Sequence, residues 1–499
     1  MSKKVIIIGA GIAGLSIGCY LRMNGYDTEI FEMHTMPGGL CTSWQRGDYT
    51  FDGCISWLVG SGPANNLYPL WNELIDMKAL KLVYPPEYNR VEDENGRFIS
   101  VRTNVDELER ELLEKAPEDK ELSLAFTGAI RKLKDLELPA EKAPETYTLL
   151  DRIKIVFNFI PYLKDYKKWI GITAGEMAEK CKNPLLKKTF EFGTVPEMSL
   201  FFLIMTLAWM HKKSAGYPIG GSLYLARLIE KRYLELDGKI HYNSRVKKIN
   251  TKDDAVSGVL LENGDIHDAD IVVSAADGYA TIFKMLAGKY TGKKILRFYE
   301  NHKTSPSYLQ FSAGISRTFP GVSHKLTFPI EKPLIIDPET SYTYLKFRVM
   351  NYDPTQAPEG KTAVISVLHT KNYKYWTDLK ENDIKQYKKE KKRIADELID
   401  ILEKRFGNIK TNVEVTDIST PATVIRYTGN WKGSLQGWLF SPEIGLKSID
   451  RMLPGLKNFY MAGHWVEPCG GLPPALKSAR NAAQVICKHD KKTFATTNY

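Results

Sequence analysis

Long apolar runs are missing from this 499-residue sequence. The longest, Leu200 to Met210, is too short to cross a bilayer as a helix. Cysteine is scarce: Cys19, Cys41, Cys54, Cys181, Cys469 and Cys487 form no CxxC pair. That argues against a disulfide frame or a zinc site and for free thiols in a reducing compartment. No signal peptide precedes Val5, because Met1-Ser2-Lys3-Lys4 runs straight into an apolar segment. Acidic residues are outnumbered, leaving a formal charge of +10, but the excess lysines are dispersed and lack the aromatic interleaving of nucleic-acid binders. No repeat and no low-complexity stretch interrupts the chain. The expectation is a cytoplasmic protein, soluble or peripheral on the inner face of the membrane, with two or three domains and no nucleic-acid partner.

What is present is concentrated at the two ends. Val5-Ile6-Ile7-Ile8 reads as a buried parallel strand. Gly9-Ala10-Gly11-Ile12-Ala13-Gly14 follows, then a helix from Leu15 to Asn24 and a second strand from Thr28 that stops at Glu32. Gly9 lets the chain turn, Gly11 lets a pyrophosphate approach the backbone, and Gly14 lets the helix pack on the sheet. The helix N-terminus offers unpaired N–H groups to phosphate. Glu32 is placed to accept hydrogen bonds from a ribose 2′-OH and would repel a 2′-phosphate, so NADP is excluded. NAD and FAD both remain open from this unit alone.

A glycine doublet, Gly38-Gly39-Leu40, lies just past that carboxylate, and Tyr49 to Leu58 alternates as a strand and turn. These segments resemble the flavoprotein superfamily of phytoene desaturases and amine oxidases. The resemblance implies FAD, with the doublet beside the flavin and the backbone at Val246 on the adenine side.

Residues 87 to 216 look mostly helical. Within them, Ile153 to Ile170 interleaves Phe157, Phe159, Tyr162, Tyr166 and Trp169 with Lys154, Lys164, Lys167 and Lys168. It reads as a buried helix pair around Pro161, or else as an interfacial patch with lysines at lipid head groups. Leu200 to Met205 reads as core or as the wall of an apolar tunnel. Past the Gly220-Gly221 break come a helix, short strands, an Asn263-Gly264 hairpin and a buried strand, Ile271 to Ser274. Strands are expected over Tyr308–Ile315, Tyr342–Met350 and Thr362–Leu368, then a long charged helix from Asp378 to Arg405.

Near the C-terminus, Leu456 to Met461 reads as a strand ending at Gly463. A loop (Glu467 to Pro474) and a helix with a small-residue face (Ala475, Ala479, Ala482, Ala483) follow. Its positive end can stabilise charge on a reduced flavin. Two cofactor motifs so far apart make the first domain discontinuous. The whole chain resembles the bacterial phytoene desaturase-like branch of carotenoid desaturases and saturases. The fold expected is α/β: a Rossmann-type FAD-binding domain from residues 1–86, 216–290 and 440–490, a helical substrate or membrane-facing insertion over 87–215, and an α+β substrate domain over 291–439. The resemblance implies cofactor contacts at Gly9, Gly11, Ala13, Gly14, Glu32, Gly38, Gly39, Leu40, Val246, Gly463, Gly471, Leu472 and Pro473.

The activity expected is hydride transfer between flavin N5 and a carbon of a lipophilic isoprenoid or polyene, giving desaturation, saturation or isomerisation. Direction rests with an electron acceptor or donor that the sequence does not name. His464 and Glu467 are candidate proton partners. Alternatively, His464 hydrogen-bonds backbone and Glu467 fixes its loop. Arg426 and Tyr427 orient cofactor or substrate, or are structural. Cys469 stands where relatives more often have glycine: it is strained if φ is positive there, and otherwise puts a thiol near the flavin. Two other functions compete. A flavin amine oxidase would need a small closed pocket with paired aromatics. A non-enzymatic prenyl-lipid carrier would have lost its flavin.

Overall fold

The computed structural model describes residues 2–467 and 469–499. Five parallel strands form its nucleotide-side sheet, in the order Lys239–His241, Asp27–Phe31, Lys4–Ile8, Ile271–Ser274 and Phe459–Met461. They come from three widely separated stretches of chain. The central strand is buried on both faces, as a parallel strand covered by helices must be. The helix Ile12–Met23 packs against the C-terminal helix Leu472–His489, whose Ala475, Ala479, Ala482 and Ala483 are buried in one core with Leu15, Cys19 and Tyr26. Small side chains allow that close approach. The Asn263-Gly264 turn closes the expected hairpin between Ala255–Leu261 and Ile266–Asp268.

A seven-stranded sheet forms the second layer, in the order Val413–Ser419, Ser307–Ile315, Thr362–Thr370, Thr340–Val349, Lys325–Asp337, Glu87–Glu92 and Phe98–Arg102. One face packs on the helix Ile384–Phe406 through Phe311, Phe328, Phe347, Ile394, Leu398 and Leu402. The long helix expected from Asp378 is broken at Asp383, which ends Tyr373–Asn382 and caps the next helix by accepting from the Gln386 N–H.

Two sequence expectations need correction, and one strand went unread. Residues 87–102 are not helical. They form a strand pair that extends the second sheet, so helix begins only at Val105. Lys325–Asp337 is a strand that the sequence hid. Pro329 and Pro333 interrupt its pattern, and both fall at a register shift where no ladder N–H is required. The segment around Pro161 is not a buried helix pair. Leu149–Phe159 has no buried residue, with Leu150 77% and Phe157 68% exposed, and Trp169 is the buried residue of Leu163–Ile170. Among the described residues no helix is long and apolar enough to cross a membrane.

Candidate active site

A cavity of about 1100 Å³ runs between the two sheets and the helical layer. Its nucleotide end is built by the first turn of the chain. Gly14 lies behind the wall, where a Cβ would meet the Gly9 carbonyl oxygen at 1.8 Å; only glycine lets the helix sit there. At Gly11 a Cβ would meet no protein atom nearer than the Gly38 oxygen, at 3.8 Å, so that space is kept open toward the cavity. Gly38 docks by donating its N–H to the Ala10 carbonyl at 2.9 Å. No side chain caps the helix Ile12–Met23, whereas Asn104, Thr148, Thr173, Asn183 and Ser199 cap helices in the helical layer. The first-turn N–H groups are thus left for a ligand.

Glu32 ends the second strand, 6% exposed. Its carboxylate accepts from the Ala10 N–H at 2.6 Å and the His34 N–H at 2.8 Å while lining the cavity, which fixes the glycine turn and leaves lone pairs for a hydroxyl donor. Burial pushes its carboxyl up against those hydrogen bonds. Ala13, Gly39, Leu40 and Val246 line the same end.

The opposite wall comes from the C-terminus. Gly463 donates to Ser478 Oγ at 3.0 Å, and Ala462 donates to the Ser274 carbonyl, tying this turn to the parallel sheet. The helix Leu472–His489 also lacks a side-chain cap and presents Gly471, Leu472 and Pro473 to the cavity. Glu467 is paired with Lys477 at 2.6 Å, a bond that fixes its loop. Burial pushes the His464 ring down to about 4, so it is neutral at pH 7 and holds no spare proton to donate. Cys469 has φ +77°, the strained case, and burial pushes its thiol up to about 12, so it is no thiolate. Its neighbour Pro468 lies outside the described residues. Tyr427 lines the cavity; Arg426 instead lies over the Tyr427 ring.

Beyond this cradle the walls turn apolar. Phe201, Phe202, Met205 and Trp209 of the helix Leu200–His211 face the cavity, while Leu203, Ile204 and Leu207 enter the core, so this segment is both core and tunnel wall. The facing sheet contributes Lys325, Lys346 and Arg348.

Two buried carboxylates escaped the sequence reading: Asp277, which lines the cavity, and Asp52, which supports residues that do. Asp52 is fully buried and accepts from the Cys54, Ile55 and Ser222 N–H groups, capping the helix Gly221–Glu235. Asp277 accepts from the Ala280 and Trp431 N–H groups, and burial pushes it up to about 6. Both are lone carboxylates in sequence. Each bonds N–H groups of its own turn, Cys54 and Ile55 for Asp52 and Ala280 for Asp277, while Ser222 and Trp431 reach them across tertiary contacts that the sequence does not display.

Two uncapped helix ends, a carboxylate at the end of the second strand and an apolar chamber define a two-sheet flavoprotein oxidoreductase. The chain belongs to the family of flavin containing amine oxidoreductases, which it matches over residues 12–487. Among its relatives are the chloroplastic prolycopene isomerase of Daucus carota (25% identical, covering 97% of this chain and 79% of the relative) and the 1-hydroxycarotenoid 3,4-desaturase of a Flavobacterium (25%, 97% and 99%). The lycopene-forming phytoene desaturase of Pseudescherichia vulneris is 24% identical over 97% of this chain and 99% of that protein. The fold is shared with an oxidoreductase from Methanosarcina mazei (TM-score 0.60, 14% identical, 97% and 100% covered). It is shared also with cyclohexylamine oxidase from Brevibacterium oxydans (TM-score 0.59, 14%, 99% and 100%).

Proposed function

We propose that this chain binds FAD and exchanges hydride with a carbon–carbon unit of a lipophilic polyene, in desaturation, saturation or isomerisation. The observation that carries the reading is one continuous cavity, from Glu32 past Gly11 to Leu472 and on into the aromatic chamber. A dinucleotide spans such a cradle, with an adenylate at Glu32 and a flavin at the C-terminal helix; a mononucleotide would leave Glu32 without a ribose partner. The bound flavin would supply hydride acceptance and donation. The chain's own residues do the rest. Glu32 orients the ribose, and the first-turn N–H groups hold the pyrophosphate. Leu472 and Pro473 bring a positive helix end to the pyrimidine side, and the Phe201–Trp209 wall excludes water. His464, held neutral by burial, lines the cavity as an uncharged ring, and Glu467, paired with Lys477, serves its loop.

The carotenoid-acting relatives support a polyene. A protonated amine is disfavoured on this chain because Lys325, Lys346 and Arg348 would repel it. A flavin-free carrier has no use for the intact cradle.

The exposed helix Leu149–Phe159, with Leu149, Leu150, Val156 and Phe157 outward and Lys154, Lys164, Lys167 and Lys168 nearby, supports a peripheral seat on a membrane where such substrates dissolve. Edge-on rings lead from it to the chamber: Phe159 to Tyr166 at 5.1 Å, then Tyr166 to Phe201 at 5.3 Å.

The test is product analysis. FAD-loaded protein is incubated with neutral and carboxylate-ended polyenes plus an electron acceptor or donor, and the absorption band is followed. A longer or shorter conjugated system, or a changed double-bond geometry, is expected for at least one polyene. Inertness toward all of them, with hydrogen peroxide formed from amines, would overturn the reading.

A further inference from the structure

Strand alternation sorts the second sheet into two chemically opposite faces. In the antiparallel pair Lys325–Asp337 and Thr340–Val349, Lys325 lies opposite Arg348, and Thr327 lies opposite Lys346. Leu326, Phe328, Leu345, Phe347 and Val349 fall on the face packed against the helix Ile384–Phe406. The period of two therefore sends Lys325, Lys346 and Arg348 together into the cavity. Like charges on neighbouring strand positions destabilise a sheet, so this cluster needs a reason.

Its neighbours neutralise it only in part, through Asp52 beside Arg348. Among the described residues neither lysine has a carboxylate partner. The Lys346 ammonium donates to the Phe192 carbonyl, and the Lys325 ammonium rests over the Tyr88 ring at 4.4 Å and the Trp57 ring at 5.2 Å. Arg348 donates to the Ile55 carbonyl at 2.9 Å and feels Asp52, whose oxygens are already engaged by the Cys54, Ile55 and Ser222 donors. Close by, His369 lines the cavity with its Nδ1 buried and unpartnered. Burial pushes the Lys346 ammonium down to about 8. Burial first, then repulsion from Lys346 and Arg348, lowers Lys325 well below its ordinary value. Buried amines of this kind resist charging until an anion joins them. A neutral hydrocarbon supplies none.

We propose that the sheet side of this cavity binds an oxyanion at the end of the substrate chain, so that the molecule oxidised or reduced here is a polyene bearing a carboxylate or phosphate terminus. This rests on the polyene reading above. Lys325, Lys346 and Arg348 then fix the head, and with it which carbon of the chain lies beside the flavin.

The test compares matched ligands on FAD-loaded protein by quenching of tryptophan fluorescence. Retinoic acid is set against retinol, and geranylgeranyl monophosphate against geranylgeraniol. The two pairs separate a carboxylate head from a phosphate head. In at least one pair the anion is expected to bind tenfold or more tightly than its alcohol. That preference should fall to less than threefold in Lys325→Met and in the Lys325→Met, Lys346→Met double variant. The Lys325→Met protein should keep its flavin spectrum and melt no lower than wild type, because it loses a buried amine that has no carboxylate partner. Equal binding of acid and alcohol in both pairs, or a preference that survives both variants, would overturn the proposal. Failure of every polyene to bind would instead remove the reading on which it rests.

Discussion

At Gly14, an added methyl group would have to pass through the Gly9 carbonyl oxygen. Gly14→Ala should cost about 1–3 kcal/mol by overpacking and reduce flavin retention at least tenfold. Chemical denaturation and the flavin-to-protein absorbance ratio measure the two effects. Glu467 makes the opposite case. Its bond to Lys477 is partly shielded, so Glu467→Gln should lose about 1 kcal/mol while turnover stays within threefold of wild type; a hundredfold loss of turnover would put Glu467 back in the chemistry. Asp277 supplies a pH signature. Burial raises its carboxyl to about 6 from 3.8, so the folded state holds that proton more tightly than the unfolded chain. Its contribution to stability is therefore largest below pH 3.8 and is lost as pH rises through 6, by roughly 3 kcal/mol in all. Asp277→Asn should flatten the fall in melting temperature between pH 4 and 6.5 relative to wild type, and parallel curves would contradict this. Gly9, Gly11, Gly14 and Glu32 were legible in the sequence because one strand–turn–helix contains the whole geometry. The bonds of Asp52 to Ser222 and of Asp277 to Trp431 were not, since they join residues far apart in the chain, nor was the Lys325–Lys346–Arg348 cluster, since its strand Lys325–Asp337 went unread.

Among the elements, those with a single strong signal were read correctly. The buried strands Lys4–Ile8 and Ile271–Ser274 and the Asn263-Gly264 hairpin lie where their patterns place them. Lys325–Asp337 escaped that reading because Pro329 borders and Pro333 occupies a register shift, and 87–102 because Glu87–Glu92, which pairs locally with Phe98–Arg102, meets the rest of the sheet only at Leu326 and Thr327. The apolar content of Leu149–Phe159 suggested burial, yet periodicity cannot say what an apolar face meets. Among the described residues nothing covers it. Leu150→Ser with Phe157→Ser should abolish sedimentation with anionic vesicles while changing unfolding free energy by less than about 0.5 kcal/mol, as exposed positions do. A loss of stability with vesicle binding intact would show that the helix serves the fold instead.

On the scale of the whole molecule, the parallel sheet closes only when residues 4–31, 239–274 and 459–461 meet, and the cavity exists only because the second sheet faces it. On the proposed reading, cofactor and substrate are held by different layers. The nucleotide end is set by backbone geometry, which sequence motifs record. The substrate end is set by which strand face points inward, which they do not. On the proposed reading, Lys325, Lys346 and Arg348 on the chamber wall favour a polyene over a protonated amine. The most direct test of that claim is anaerobic mixing of the oxidised, FAD-loaded protein with a panel of polyenes and a panel of amines, following the flavin band near 450 nm. A polyene in the panel should bleach it, or, for a reductive enzyme, should restore the band of pre-reduced protein, while amines leave it unchanged. Bleaching by amines alone would contradict the account.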